Sequence, residues 1–189
     1  MLAPIDEPPQ CLSRTEFHAW AAAQPLGRFE RIGSVVVAMA PERAVHARLK
    51  ASAWRLLRDS IRDRRLLTCE ALPDGLTVEV GEDHDFIPDA MVRCGDRLPG
   101  DAQAVNDPVI VVEVLSPSTA AIDRAVKLQA YFRLPSVQHY LIIAAAQRRV
   151  VHHRRAGEAI TTGVHTAGWI DLNPPGLGLD VDALYSEAV

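Results

Sequence analysis

One glutamate interrupts an otherwise aliphatic run, Val109-Ile110-Val111-Val112-Glu113-Val114-Leu115. A stretch of this kind predicts a central strand buried on both faces. An unpaired carboxylate there costs several kcal/mol, so Glu113 needs a proton, an internal cation or a metal ion against it. A second carboxylate, Asp89, opens a short apolar strand just after Pro88, which removes an amide donor and stiffens the chain. Two carboxylates on neighbouring strands can hold Mg²⁺, or Mn²⁺ in its place, while waters and a substrate phosphate complete a sparse oxygen shell. Such an ion acidifies water and offsets charge at a phosphodiester transition state. Asp123, Lys127 and Tyr131 are spaced by four on the helix expected after the Glu113 strand, so they share one face. From that face Lys127 can reach a scissile phosphate or the attacking water.

The elements that must position these groups are legible in outline. Ser13 with Glu16 reads as a capping box for a helix to about residue 23. Residues 28–40 read as a hairpin around Gly33-Ser34. Pro41 fits the first turn of a long helix to about Arg62, with Val45, Leu49, Ala53, Leu56 and Ile61 as its buried stripe. Strands are expected at 66–70 and 76–80 across Pro73-Asp74-Gly75, then at 86–93, 109–115 and 138–144. Residues 150–153 pair with the last of these across the Gln147-Arg148 turn. A helix runs from Ser116 to about Arg133, and Asp182 caps a short final helix. This order predicts an α/β fold, a mixed central β-sheet flanked by helices. Residues 1–12 read as a flexible tail, and 13–189 as a single domain.

Composition narrows the setting. The 189 residues are 48% hydrophobic and 23% charged, with a net charge of −4, which excludes a uniformly basic coat but not a local basic strip. No run of about 18 apolar residues exists, so no membrane helix is expected. The acidic, proline-rich start does not resemble a signal peptide. Cys11, Cys69 and Cys94 are far apart and odd in number, which predicts a reducing compartment, the cytoplasm, and gives no zinc signal. Neither a membrane nor an organic cofactor is expected as a partner.

The runs PDAMV, DPVIVVEVLSPSTAAIDRAVKLQAYF and VQHYLII resemble the Uma-two type restriction endonucleases of the PD-(D/E)XK nuclease superfamily. The likeness extends from LSRTEFHAW near Leu12 to LNPPGLGLDVDALY, nearly the whole chain, and EVLSPST with D-x-x-x-K-x-x-x-Y behind it is its most specific part. The resemblance implies a restriction endonuclease-like core and a metal-dependent DNA endonuclease. It assigns Asp89 and Glu113 to the metal and passes the motif lysine, replaced here by Leu115, to Lys127. Glu30 matches an acidic position of the first hairpin and a further metal ligand. His46 matches a polar position of the long helix. The family's strand YWLVD reads YLIIA here, so Ala144 stands where an aspartate is usual.

Each assignment has a plainer alternative. Asp123 and Lys127 read alone as an exposed ion pair worth about 0.3–0.5 kcal/mol. Asp89 alone reads as a turn cap, and Glu113 could face a buried arginine. Glu30 could be a solvated position beside Arg31, and His46 a half-exposed helix residue. Ser116 reads as a helix cap, with phosphate contact as its second use. The arginines between 43 and 65 read as a solvated face or a phosphate-tracking strip, and Arg148, Arg149, Arg154 and Arg155 as a patch that could meet phosphates. His152-His153 reads as surface. The expectation is a Mg²⁺-dependent endonuclease acting on DNA, with the Val114 carbonyl completing the metal shell and a homodimer suited to cutting two strands. Its rivals are an inactive nuclease-fold binding or regulatory protein and a hydrolase of smaller phosphoesters.

Overall fold

The computed structural model describes residues 11–115 and 122–186, with the side chains of 122–124 left aside. The capping box forms as expected: the Ser13 amide donates to Glu16 Oε2 at 2.9 Å, and Ser13 Oγ accepts from the Glu16 amide. It opens α1 (Arg14–Ala23). The hairpin follows as β1 (Phe29–Ile32) and β2 (Val35–Ala38), turning through positive φ at Gly33 and Ser34. The long helix α2 spans Ala44–Asp63 with Arg43 at its N-cap. Pro41 therefore lies before the helix, not in its first turn; the chain from Met39 to Arg43 lines a cleft instead. Leu49, Ala53 and Leu57 of α2 are fully buried, whereas Val45, Leu56 and Ile61 only flank that core. Burial of a leucine side chain contributes roughly 1.5–3 kcal/mol.

Next come β3 (Cys69–Pro73), β4 (Thr77–Val80), β5 (His84–Phe86), β6 (Ala90–Cys94), β7 (Ala104–Val105) and β8 (Pro108–Leu115). After them stand α3 (Ile122–Tyr131), β9 (His139–Ala144), β10 (Arg149–Ala156), β11 (Ala159–His165), β12 (Trp169–Leu172), β13 (Leu177–Asp180) and α4 (Val181–Ser186). The architecture is mixed α/β, but the strands divide. A six-stranded sheet has the order β11-β10-β9-β8-β6-β3, a five-stranded sheet the order β2-β1-β5-β4-β7, and β12-β13 form a ribbon. The two strands expected to flank Pro73-Asp74-Gly75 as neighbours thus part company, β3 into one sheet and β4 into the other. The run expected over 86–93 is two strands, because Pro88 interrupts it, and β5 and β6 also join different sheets.

β8 is the pivot, antiparallel to β6 and parallel to β9. Its alternate residues feed two cores. Ile110, Val112 and Val114 pack with α2 and the C-terminal ribbon, while Val111 packs with Tyr131 of α3 and Phe86 of the smaller sheet. That smaller sheet is pinned by a fully buried ion pair, Arg31 to Asp85 at 2.6 Å, with the carbonyls of Leu12 and Glu82 taking other guanidinium protons. The amide of Leu12 also donates to the Ser34 carbonyl.

Two expectations need correction. Cys69 and Cys94 face each other across β3 and β6 and are joined as a disulfide, with Cα atoms 3.9 Å apart; the pairing was hidden because it depends on strand register. Asp180, not Asp182, caps α4, accepting from the amides of Asp182 and Ala183 at 2.8 and 3.2 Å. Among the described residues no helix is long and apolar enough to cross a membrane.

Candidate active site

Where β1, β8, α3 and the start of α2 meet, a cleft of roughly 290 Å³ opens, and Glu30, Glu42, His46, Asp89, Glu113 and Lys127 all line it. Glu113 points from β8 toward α3. Its Oε1 accepts from Lys127 Nζ at 3.1 Å and from the Tyr131 hydroxyl at 2.8 Å. The spacing of four that puts Lys127 and Tyr131 on one helix face thus brings both onto one oxygen. Among the described residues the other oxygen, Oε2, takes no hydrogen bond from a protein group. Burial pushes the Glu113 carboxyl up to about 8; Lys127 opposes that rise, and Asp89 and Glu30 add to it. Burial also raises the Tyr131 phenol, further helped by the negative charge of Glu113.

Glu30 is 5% exposed, not solvated. Its Oε1 accepts from Lys127 Nζ at 3.0 Å and from the Ile87 amide at 2.8 Å. Lys127 is therefore not exposed: it is 5% exposed and bridges Glu30 and Glu113, with Phe86 beneath its ammonium. Asp89 does not serve as a simple turn cap. Pro88 sets the chain so that the Asp89 amide donates to the Val112 carbonyl at 3.0 Å, while Asp89 Oδ2 accepts from the Val114 amide at 2.6 Å. His46 lies against the same stretch, with Nε2 2.5 Å from the Val114 carbonyl and 3.8 Å from Asp89 Oδ2. Because a carbonyl only accepts, Nε2 carries the proton. Among the described residues the buried Nδ1 has no hydrogen-bond partner, and it stands 3.6 Å from Glu42 Oε2.

Three functional candidates went unread in the sequence. Lys50 of α2 is 7% exposed and reaches Asp89 Oδ1 at 3.1 Å, Asp74 Oδ2 at 2.6 Å and the Glu42 carboxylate. Burial works against its charge, but these carboxylates outweigh it and raise its pKa. Those of Glu42 and Asp74 are held low, since the Lys50 contacts overcome the effect of burial. Arg28 adds a second cation to Asp74, 2.6 Å away. Glu42, His46 and Lys50 stand at intervals of four, a helical spacing that was available to the sequence reading. Asp74 gave no such signal.

Among the described residues, Glu42, His46 and Asp89 form one of two His/Cys/Asp/Glu trios whose ligand atoms lie within 4.8 Å of one another. The other, His18, Glu79 and Asp85, is already laced by Arg14 and Arg31. Ser116 and the Asp123 side chain lie outside the described residues. In the arginine strip of α2, Arg55, Arg58 and Arg62 gather around Asp59, and Arg62 also meets Asp63, so the strip is partly paired in place and stays net positive. Arg155 is structural, donating to the carbonyls of Phe132, Leu134 and Val137. His152 and His153 are buried, not surface. Ala144, lacking the family's carboxylate, has its carbonyl held by the Tyr185 hydroxyl at 2.9 Å.

Comparison with known proteins adds context to this geometry. The family model described as "Uma2: Putative restriction endonuclease" matches residues 14–183. Two relatives come from Synechocystis sp. (strain ATCC 27184 / PCC 6803 / Kazusa). "Uncharacterized protein sll1609" is 31% identical over 138 residues, covering 71% of this chain and 76% of its own. "Uncharacterized protein slr1290" is 30% identical over 120 residues, covering 62% of this chain and 63% of its own length. The crystal structure of a "putative nuclease belonging to DUF820" from Anabaena variabilis ATCC 29413 shares the fold, with a TM-score of 0.73 over 94% of this chain and 99% of that one, at 17% identity.

Proposed function

The chain belongs to the Uma2 restriction endonuclease-like family, and from that premise we propose that it is a divalent-metal-dependent endonuclease that hydrolyses phosphodiester bonds in DNA. The observation that carries this reading is a charge imbalance. Five carboxylates, Glu30, Glu42, Asp74, Asp89 and Glu113, are joined by ion pairs to three cations, Arg28, Lys50 and Lys127, so this network carries an excess of two negative charges once Glu113 is ionised, as a bound cation would hold it; Arg43 lines the same cleft outside the network. That excess, the Glu113 Oε2 that takes no hydrogen bond among the described residues, and the oxygen-rich donor set fit a hard divalent ion such as Mg²⁺, with Mn²⁺ as its substitute.

Asp89 and Glu113 would hold the ion, with the Val114 carbonyl and Glu30 at its edge and the Glu42–His46 side next to it. When bound, it supplies positive charge against the phosphate and lowers the pKa of water. The chain's own groups do the rest. Tyr131 and Lys127 fix Glu113 in one orientation, and the Val114 amide fixes Asp89. Lys127, desolvated and anchored by Glu30, presents an ammonium to the cleft, where it orients the attacking water or takes up charge on a phosphate oxygen. His46 clamps the carbonyl between the two carboxylates. A two-strand cut would call for two copies, and sedimentation of the protein with and without DNA tests for the homodimer.

The test is nicking of supercoiled plasmid by the purified chain with Mg²⁺, with Mn²⁺ and with chelator. Metal-dependent cleavage that is lost in Glu113→Gln is expected. Cleavage that survives chelation, or none with either metal, would overturn the proposal. A second reading, an inactive DNA-binding protein, is favoured by the fact that Asp89 and Glu113 already carry internal ammonium partners. It predicts DNA retention in a gel shift with no cleavage and no metal uptake.

A further inference from the structure

The chemistry of the cleft calls for one lysine, and the fold brings two. Lys127 serves Glu30 and Glu113. Lys50 is buried on the far side of Asp89, and its Nζ is surrounded by oxygens of Glu42, Asp74 and Asp89, the last two at 2.6 and 3.1 Å. These carboxylates come from three separate segments: the approach to α2, the turn after β3 and the start of β6. An ammonium has three protons and no acceptor, so three carboxylates use every donor that Lys50 has. It therefore has none left for a substrate. A surface lysine would keep its rotamer freedom and its water; this one has surrendered both.

We infer that Lys50 is a built-in cation that stands where a second metal ion would otherwise sit, so that the site binds a single divalent ion, on the Glu113 side of Asp89. The inference rests on the metal-dependent reading above and deepens it by fixing the number of ions. Charge supports it. With Lys50 in place and Glu113 ionised by the bound ion, one divalent ion cancels the network's excess of two negative charges, and a second would leave it positive by two. Geometry supports it too. Asp89 gives Oδ2 to the Val114 amide and Oδ1 to Lys50, so the ammonium orients a ligand oxygen without meeting the reacting atoms. Lys50 is thus a positioning residue. In two-metal hydrolases the second ion offsets charge on the leaving oxygen; here that charge would fall to Lys127, whose ammonium faces the cleft.

The experiment counts Mn²⁺ per chain by equilibrium dialysis and electron paramagnetic resonance, on the full chain and on Lys50→Ala, Lys50→Gln and Lys50→Arg. The wild type and Lys50→Arg should bind one ion. Lys50→Ala and Lys50→Gln should bind two, the second close enough to broaden the spectrum of the first by spin coupling. A lysine that only props up the fold would lower stability without adding an ion. Two ions in the wild type, or one in a folded neutral variant, overturn the inference while leaving the metal-dependent reading intact. No ion in the wild type but one in Lys50→Gln removes that reading and keeps the role of Lys50. No ion in any of them overturns both. Should neither neutral variant fold, the count of one or two in the wild type and in Lys50→Arg still decides.

Discussion

Lys127 and Glu30 are ninety-seven residues apart in the chain, yet Nζ of one lies 3.0 Å from Oε1 of the other, and both are buried. The same ammonium reaches Glu113 at 3.1 Å. A single cation thus holds two carboxylates from different sheets on one side of the cleft. Lys127→Met should leave both without it, and breaking a buried pair in this way destabilises by about 3–5 kcal/mol. Added Mn²⁺ should restore part of that loss in urea denaturation, because it supplies positive charge to the same oxygens. Plasmid cleavage should fall by about 10²–10³-fold. Cleavage at the wild-type rate would make Lys127 a purely structural cation.

Glu113→Gln separates metal binding from folding. Burial already favours the neutral acid at position 113, and glutamine keeps an oxygen that can accept from Tyr131 and Lys127. The metal-free variant should therefore unfold within about 1 kcal/mol of the wild type, or be the more stable of the two. Its Mn²⁺ affinity, read by titration calorimetry, should drop at least about tenfold, since a charged ligand is lost. Unchanged affinity would remove Glu113 from the ligand set.

These two carboxylates were not equally legible. Glu113 announced itself physically, as a charge in an aliphatic strand, and Lys127 with Tyr131 through their helical spacing. Asp89 was read from its place after Pro88 at a strand start, an ordinary position that the family resemblance made specific, and Glu30 rested on that resemblance alone. Lys50 was obscured by the arginines around it, and Asp74 by topology. The turn at Asp74 joins strands of different sheets, so nothing local shows that it faces α2. His152 and His153 show a further limit. Adjacent strand residues point to opposite faces, so both can be buried only if both faces of the strand are covered. Without β11, β10 would have been an edge, and β11 offers mostly small and polar residues with little alternation.

The Cys69–Cys94 bond closes a loop of 25 residues. Chain-entropy arguments give about 3.5 kcal/mol of stabilisation for a loop of this size. Cys69→Ser, or reductant added to the wild type, should lower the unfolding midpoint accordingly, whereas the exposed Cys11 contributes nothing to it. Thiol titration of the denatured, unreduced chain should find one free thiol. Three free thiols and an unchanged midpoint under reductant would mean that the bond does not form in solution.

Acid should loosen the other end of the main sheet first. His139 Nε2 lies 2.9 Å from the Pro174 carbonyl, which can only accept, so that nitrogen carries the proton. His139 Nδ1 then accepts from His152 Nε2, also at 2.9 Å. The relay has one proton per imidazole, and a proton added at His139 Nδ1 would break its central bond. Burial holds both imidazoles down to about 4; neighbouring charge from Arg154 adds to this, while Asp171 opposes it at His139. In the unfolded chain each takes up its proton near pH 6.5. The native state therefore binds fewer protons between those values, and stability must fall as pH falls. The contribution is complete above about pH 6.5 and is lost progressively toward pH 4, reaching roughly 3 kcal/mol for the first proton at about 1.4 kcal/mol per pH unit. Carboxylates paired in the fold also weaken in acid, so the comparison that isolates the relay is wild type against His139→Gln/His152→Gln in urea at pH 7.5, 6.0 and 4.5. The double variant should lose less stability over that range than the wild type. Parallel pH curves would show that the two histidines do not titrate on unfolding.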